Sequence, residues 1–116
     1  YRPGRPFHRR GARALVELPI QVTPRLRVPL IGTTIGLAGA RAAELAERCL
    51  GEPLVNLELH LMDFLDRADG LEALASHQAE LKVPLADRLR ALDAVLTTFR
   101  RAGYAFVRLD EAARRV

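Results

Sequence analysis

The sequence of 116 residues contains no tryptophan, one lysine and one cysteine, and only 5% of its residues are aromatic. A core must therefore be built mainly from leucine, valine, isoleucine and alanine. The single cysteine, Cys49, excludes an internal disulfide or a cysteine metal cluster, and its apolar setting predicts a small core residue. No run approaches the roughly 18 apolar residues of a membrane-spanning helix. No signal-type apolar segment follows the first charges, so we expect a cytoplasmic chain with no membrane partner.

Positive charge is concentrated at the start of the chain. The net charge is +4, and five arginines precede the first acidic residue, Glu17: Arg2, Arg5, Arg9, Arg10 and Arg13. A basic segment can attract phosphate-rich partners, but neither interleaved aromatic residues nor a recognition helix accompanies this one. We therefore expect no nucleic-acid partner, and an arginine-led nucleic-acid binder stays open only as an alternative.

Proline, glycine and apolar patterning divide the first half of the chain into four segments. Residues 1–12 hold two prolines and two glycines and predict a Pro/Arg-rich loop or linker. Residues 15–22 alternate like an edge strand, and residues 28–35 form a second extended, apolar run. Residues 37–50 are rich in alanine, leucine, glutamate and arginine, which predicts a helix that ends at Gly51.

The second half of the chain continues this alternation of strands and helices. Its predicted elements are a strand at 54–61, an acidic loop at 63–70, a short helix at 71–81, a helix from Leu85 to Gly103, a strand at 104–109 and a last helix that begins at Glu111 after the cap Asp110. The helix after Pro84 has the most regular apolar spacing. The order of elements predicts an α/β fold with mostly parallel strands.

Strict alternation gives the strand at 54–60 one apolar and one polar face. The apolar face carries Val55, Leu57 and Leu59, and the polar face carries Asn56, Glu58 and His60. A strand that ends in a histidine, with Asp63 three residues later, is typical of an active site at the carboxyl end of a strand. An imidazole titrates at about pH 6.5, so His60 could act as a general acid or base, oriented by Glu58 or Asp63. A packed histidine without a catalytic role is the alternative.

The common metal, nucleotide and serine-hydrolase motifs do not occur in the chain. Its three histidines fall in unrelated elements, and the aspartates of residues 63–70 lack the glycine and terminal glutamate of a calcium loop. The glycines of residues 32–39 match no phosphate loop, and Ser76 has no nucleophile-elbow pattern. No metal or cofactor site is therefore predicted within this chain.

Four blocks of sequence together resemble the C-terminal half of bacterial polysaccharide deacetylases with NodB-type homology, the fourth family of carbohydrate esterases. The blocks are Leu15-Val16-Glu17-Leu18-Pro19, Arg27-Val28-Pro29-Leu30-Ile31-Gly32-Thr33, Asn56-Leu57-Glu58-Leu59-His60, and Gly103-Tyr104-Ala105-Phe106-Val107 with Leu109. The resemblance implies that residues 13–116 form the C-terminal part of a distorted (β/α) barrel. It also implies metal-assisted hydrolysis of an N- or O-acetyl group on a polysaccharide or glycan.

The segment Leu57-Glu58-Leu59-His60 resembles the Leu-x-His strand that is the last catalytic motif of that family. By this resemblance, His60 is the general acid that protonates the leaving amine. Leu57 and Leu59 would contact the substrate by lining the pocket for the acetyl methyl group. A carbohydrate is the substrate that the resemblance implies.

Three other motifs of the family do not occur here: the aspartate-rich motif, the paired-histidine motif and the arginine motif. The resemblance therefore implies that a missing N-terminal half supplies the base and the ligands of a divalent metal such as zinc. The 116-residue piece alone is expected to be inactive. Half of a barrel would leave strand edges unpaired, so a homo-oligomer is also expected.

A non-catalytic role is the main alternative to the enzyme. In that case the chain is an α/β interaction domain whose exposed sheet edge pairs with another chain or with the missing half.

Overall fold

A computed structural model describes residues 16–115, of which 54% are helical. The chain divides into two units, Ile20–Tyr104 and the combination of Tyr1–Pro19 with Ala105–Val116. The predicted loop at residues 1–12 lies outside the described residues.

Helices and short 3-10 turns make up the unit Ile20–Tyr104. Its α-helices are α1 (Gly32–Ala38), α2 (Ala42–Glu47) and α3 (Leu85–Arg101). Its 3-10 turns are Gly39–Arg41, Leu61–Phe64, Arg67–Asp69, Glu72–Leu74 and Ala79–Lys82. The other unit carries α4 (Leu109–Arg115), which has acidic residues in its first turn and arginines in its last, as the helix dipole prefers.

The core of the unit Ile20–Tyr104 lies between α3 and the two short helices. Both α1 and α2 pack against α3. The buried cluster consists of Leu30, Ile35, Ala42, Ala46, Cys49, Ala91, Val95 and Phe99. The ring of Phe99 meets that of Tyr104 edge to face, with 5.3 Å between the ring centroids. The prediction that Cys49 is a core residue is confirmed, and burial raises the pKa of its thiol.

The predicted (β/α) barrel is wrong, because residues 16–115 contain no strand and no sheet. Extended backbone pairs only at two isolated points, Val22 with Pro29 antiparallel and Ile31 with Glu58 parallel. Neither pairing grows into a ladder. Pro29 has no N–H to donate, and the chain turns into α1 directly after Ile31.

The absence of a sheet from the described part of the chain also affects two further predictions. The interaction-domain alternative relied on an exposed sheet edge, and these residues form none. Self-association was expected for the same reason, so the homo-oligomer stays a prediction without that structural basis.

Of the predicted helices, one is confirmed, one is interrupted and one is replaced by 3-10 turns. The helix after Pro84 is confirmed as α3, and Gly103 follows it with a φ of 86°. The helix expected at residues 37–50 is interrupted at Gly39, whose φ of 55° is left-handed. The segment 71–81 forms 3-10 turns because few of its side chains are buried, which leaves no continuous apolar stripe to stabilise a helix.

The end of the chain departs from prediction as well. Residues 104–108 form neither helix nor strand, so the strand expected at 104–109 is wrong. The last helix begins at Leu109, which places Asp110 in its first turn and not at its cap. Across residues 16–115, no helix combines the length and the apolar character that crossing a membrane requires.

Candidate functional site

His60 lies where extended backbone gives way to a 3-10 turn. Two residues before it, Glu58 pairs with the start of α1: the Gly32 N–H donates to the Glu58 carbonyl at 3.0 Å, and the Glu58 N–H to the Leu30 carbonyl at 3.5 Å. His60 itself is extended, with φ −111° and ψ 161°, and the turn Leu61–Phe64 follows. The strand predicted to end in His60 is therefore wrong, because residues 54–60 carry only the isolated bridge at Glu58, although His60 itself has extended dihedral angles.

A buried carboxylate fixes the backbone of His60. The His60 N–H donates to Asp63 Oδ2 at 2.7 Å, and the Asp63 N–H donates to the His60 carbonyl at 3.0 Å. Asp63 is only 8% exposed, whereas the side chain of His60 is 62% exposed. The backbone at position 60 is thus held from inside the protein while the imidazole faces solvent.

Glu58 is the acidic neighbour of the imidazole. Its Oε1 lies 3.8 Å from His60 Nε2, and both side chains are largely accessible to water. A contact between two such accessible groups contributes little to stability, so its importance would lie in the orientation of the ring. Of the two residues expected to orient His60, Glu58 therefore lies beside the ring and Asp63 binds the backbone.

A small cavity lies beside this segment. Its lining residues are Gly32, Ile35, Leu59, Asp63, Arg88 and Leu92. It has room for about one water molecule at most. Of the two predicted pocket residues, Leu59 lines this cavity, whereas Leu57 packs against the buried core cluster. Contact of either residue with a substrate stays a prediction.

Arg88 is a buried cation that sequence patterning did not single out. It is only 4% exposed, and its guanidinium donates to four backbone carbonyls. Nε donates to Val83 O at 3.1 Å, Nη1 to Met62 O at 3.0 Å and to Asp63 O at 3.3 Å, and Nη2 to Leu65 O. Arg88 therefore ties the turn after His60 to the start of α3.

A signal for the burial of Arg88 is present in the sequence. The buried residues of α3 are Arg88, Ala91, Val95 and Phe99, at helical spacing on one face. The leucine pattern instead favoured a face through Leu89, which is 40% exposed. Because leucines outweigh alanines in such patterns, the face that carries Arg88 was missed.

Glu80 is a second buried charge that the sequence did not reveal. It is 1% exposed, and its Oε1 accepts a hydrogen bond of 3.0 Å from Thr33 Oγ1. This bond joins the turn Ala79–Lys82 to the first turn of α1. Glu80 therefore acts on the same end of α1 that Asp63 approaches.

Two glycines of α1 leave space for the side chains of Asp63 and Arg88. A Cβ on Gly32 would lie 2.0 Å from Asp63 Oδ2, and a Cβ on Gly36 would lie 3.1 Å from Arg88 Cγ. The glycine spacing that superficially suggests a phosphate loop therefore has a steric explanation. Gly32 permits the close approach of the Asp63 carboxylate.

Replacing Gly32 by alanine is expected to displace the Asp63 carboxylate and break its bond to the His60 N–H. We expect the free energy of unfolding to fall by about 2 kcal/mol, since overpacking outweighs the gain in helix propensity. Gly36→Ala is the matched control in the same helix, because its nearest neighbour needs to move by only a few tenths of an ångström. Urea unfolding of both variants measures the difference, and equal stabilities would contradict the steric account.

The described residues do not fit a metal site by themselves. Within residues 16–115, no group of three or more histidine, cysteine or acidic side chains is placed to hold an ion. Glu58 and His60 are only two such groups, and Asp63 is engaged with the backbone. That the metal ligands lie outside this chain stays a prediction.

Comparisons of the chain with protein-family models, with curated proteins and with solved structures found no match.

Proposed function

We propose that this chain supplies the proton-donating histidine of a metal-dependent carbohydrate deacetylase, an enzyme that hydrolyses N- or O-acetyl groups of a polysaccharide or glycan. The observation that carries the proposal is the contrast at position 60. The imidazole of His60 is open to solvent, while its backbone is held by the buried Asp63. The base and the metal ligands would come from residues outside this chain.

The role of His60 follows from the chemistry of the bond that breaks. An amine leaves a tetrahedral intermediate readily only when its nitrogen gains a proton as the C–N bond breaks, and a positioned imidazolium can donate that proton. His60 has the exposure to meet a bulky glycan, and Glu58 Oε1 lies 3.8 Å from its Nε2. The carboxylate would stabilise the imidazolium that donates.

Leu59 is the residue that we propose as the apolar wall beside the acetyl methyl group. It lines the small cavity together with Ile35 and Leu92. Leu57 packs against the core cluster and would contribute to the rigidity of the segment that carries Leu59. The proposal depends on these neighbours and not on a barrel fold.

Acetate release tests the proposed function. The full-length gene product, supplied with zinc, is expected to release acetate from N-acetylated chito-oligosaccharides or from O-acetylated xylan. The 116-residue chain alone is expected to release none. No release by the full-length product from either substrate would contradict the deacetylase and favour a non-catalytic chain. Release by the 116-residue chain would contradict the proposal that the base and the metal ligands lie elsewhere.

A further inference from the structure

The guanidinium of Arg88 is almost fully occupied by backbone carbonyls. A guanidinium has five N–H donors, and Arg88 uses four hydrogen bonds to reach the carbonyls of Met62, Asp63, Leu65 and Val83. A bidentate contact to a substrate carboxylate or phosphate would need two free donors on one edge. Arg88 is therefore committed to the protein and is not an anion-binding residue.

Three of these four carbonyls belong to the segment directly after His60. They lie within residues 62–65, and the fourth belongs to Val83, two residues before α3 begins. Because α3 is the longest helix of its unit and packs against both α1 and α2, it is a rigid support. The turn that carries Asp63 is thus attached through Arg88 to the longest helix of the unit.

Asp63 in turn holds the backbone of His60. Its carboxylate enters the space that Gly32 leaves open and accepts the His60 N–H at 2.7 Å. The imidazole is exposed, so packing does not fix it, and its position depends chiefly on the backbone. A displacement of about 1 Å at a reacting group can cost on the order of 100-fold in rate.

We propose that Asp63 and Arg88 are positioning residues for His60: Arg88 holds the turn Leu61–Phe64 to α3, and the Asp63 carboxylate in that turn fixes the backbone amide of His60. The proposal rests on the proposed function, because it assigns these residues to the donation of a proton by His60. Neither residue touches the substrate in this role.

The chain offers a matched control for Asp63. The next 3-10 turn along the chain repeats the same contact, because the Asp66 N–H donates to Asp69 Oδ2 at 2.7 Å. Asp69 is exposed, whereas Asp63 is buried. Asp63→Ala and Asp69→Ala therefore remove the same kind of bond, once beside His60 and once away from it.

The first readout is amide hydrogen exchange in the 116-residue chain, which needs no activity. Asp63→Ala is expected to speed exchange of the His60 amide at least tenfold and to leave the Asp66 amide unchanged. Asp69→Ala is expected to do the reverse. Asp63→Asn retains an acceptor oxygen and should preserve much of the protection at His60. An unchanged His60 amide in Asp63→Ala would overturn the proposal.

The second readout is turnover of the full-length enzyme on an N-acetylated oligosaccharide and on p-nitrophenyl acetate. Asp63→Ala is expected to lower kcat on the oligosaccharide roughly 10- to 100-fold with little change in KM. Activity on the aryl ester should persist, because its phenolate leaves without gaining a proton. This remaining activity also reports that the site is folded. Asp63→Asn should recover most of the lost kcat, and Asp69→Ala should match the unmodified enzyme.

The outcomes separate this proposal from the proposed function. If His60→Ala abolishes turnover but Asp63→Ala behaves like Asp69→Ala, the positioning role is overturned and the deacetylase stands. If His60→Ala leaves turnover unchanged, the proposed function is overturned, and positioning for catalysis falls with it. Equal losses on both substrates in Asp63→Ala would indicate a merely structural role and would also overturn the proposal.

Discussion

In the deacetylase that we propose, replacing His60 by alanine is expected to lower turnover on an N-acetylated oligosaccharide by about 10²- to 10⁴-fold, the usual contribution of a general acid. The fold should survive, because the His60 side chain is 62% exposed and its backbone bonds to Asp63 do not involve the ring. Steady-state acetate release measures the first effect, and urea unfolding of the 116-residue chain measures the second.

His77→Ala is the matched control for this substitution. His77 is also exposed, lies in the same unit, and has no role in the proposed mechanism. Its replacement should leave both turnover and stability unchanged. A His60→Ala enzyme that keeps the activity of the control would contradict the assignment of His60 as the acid.

Replacing Arg88 by methionine is expected to lower the free energy of unfolding by about 3–5 kcal/mol. Methionine retains the apolar stem but removes every hydrogen bond from the guanidinium to the four carbonyls. Urea unfolding of the 116-residue chain measures the loss.

Arg90→Met provides the control on the same helix. Arg90 is exposed and forms an ion pair with Asp87 on the surface of α3. Such exposed pairs are worth about 0–1 kcal/mol, so this variant should unfold almost like the original chain. A difference between the two arginine variants of less than about 1 kcal/mol would contradict the account of Arg88, given typical effects of buried polar groups.

The sequence predicts local structure best where one segment decides the outcome. The helix α3 follows from regular apolar spacing after Pro84. The alternation before His60 predicted a strand, which residues 54–60 do not form. Alternation could not predict the pairing of that segment, because a ladder requires donors and acceptors on a second segment. The neighbouring segment cannot supply them, because Pro29 has no N–H and because α1 begins directly after Ile31.

The residues of the candidate site also divide into those that one short segment contains and those that distant segments bring together. Alternation identified His60, Glu58 and Leu59 because they share one short segment. The bond from Arg88 to Met62 joins residues 26 positions apart, and no short pattern encodes such a contact. Gly32 could be noticed but not explained from the sequence, since its reason is the carboxylate of Asp63.

The function proposed for this chain does not depend on the barrel that its resemblance implied. Catalysis is a property of a site, and a site is defined by the groups that touch the reacting atoms. Leu59 lines the small cavity, and the Asp63 carboxylate holds the backbone of His60 in the same segment. The tests above therefore address these residues individually.

The central claim is that His60 donates a proton to the leaving group. The most direct test compares the loss of kcat caused by His60→Ala on an N-acetylated oligosaccharide, whose amine requires protonation, with the loss on p-nitrophenyl acetate, whose phenolate does not. We predict a loss of at least about 100-fold on the amide and less than about threefold on the aryl ester. Equal losses on the two substrates would contradict the claim.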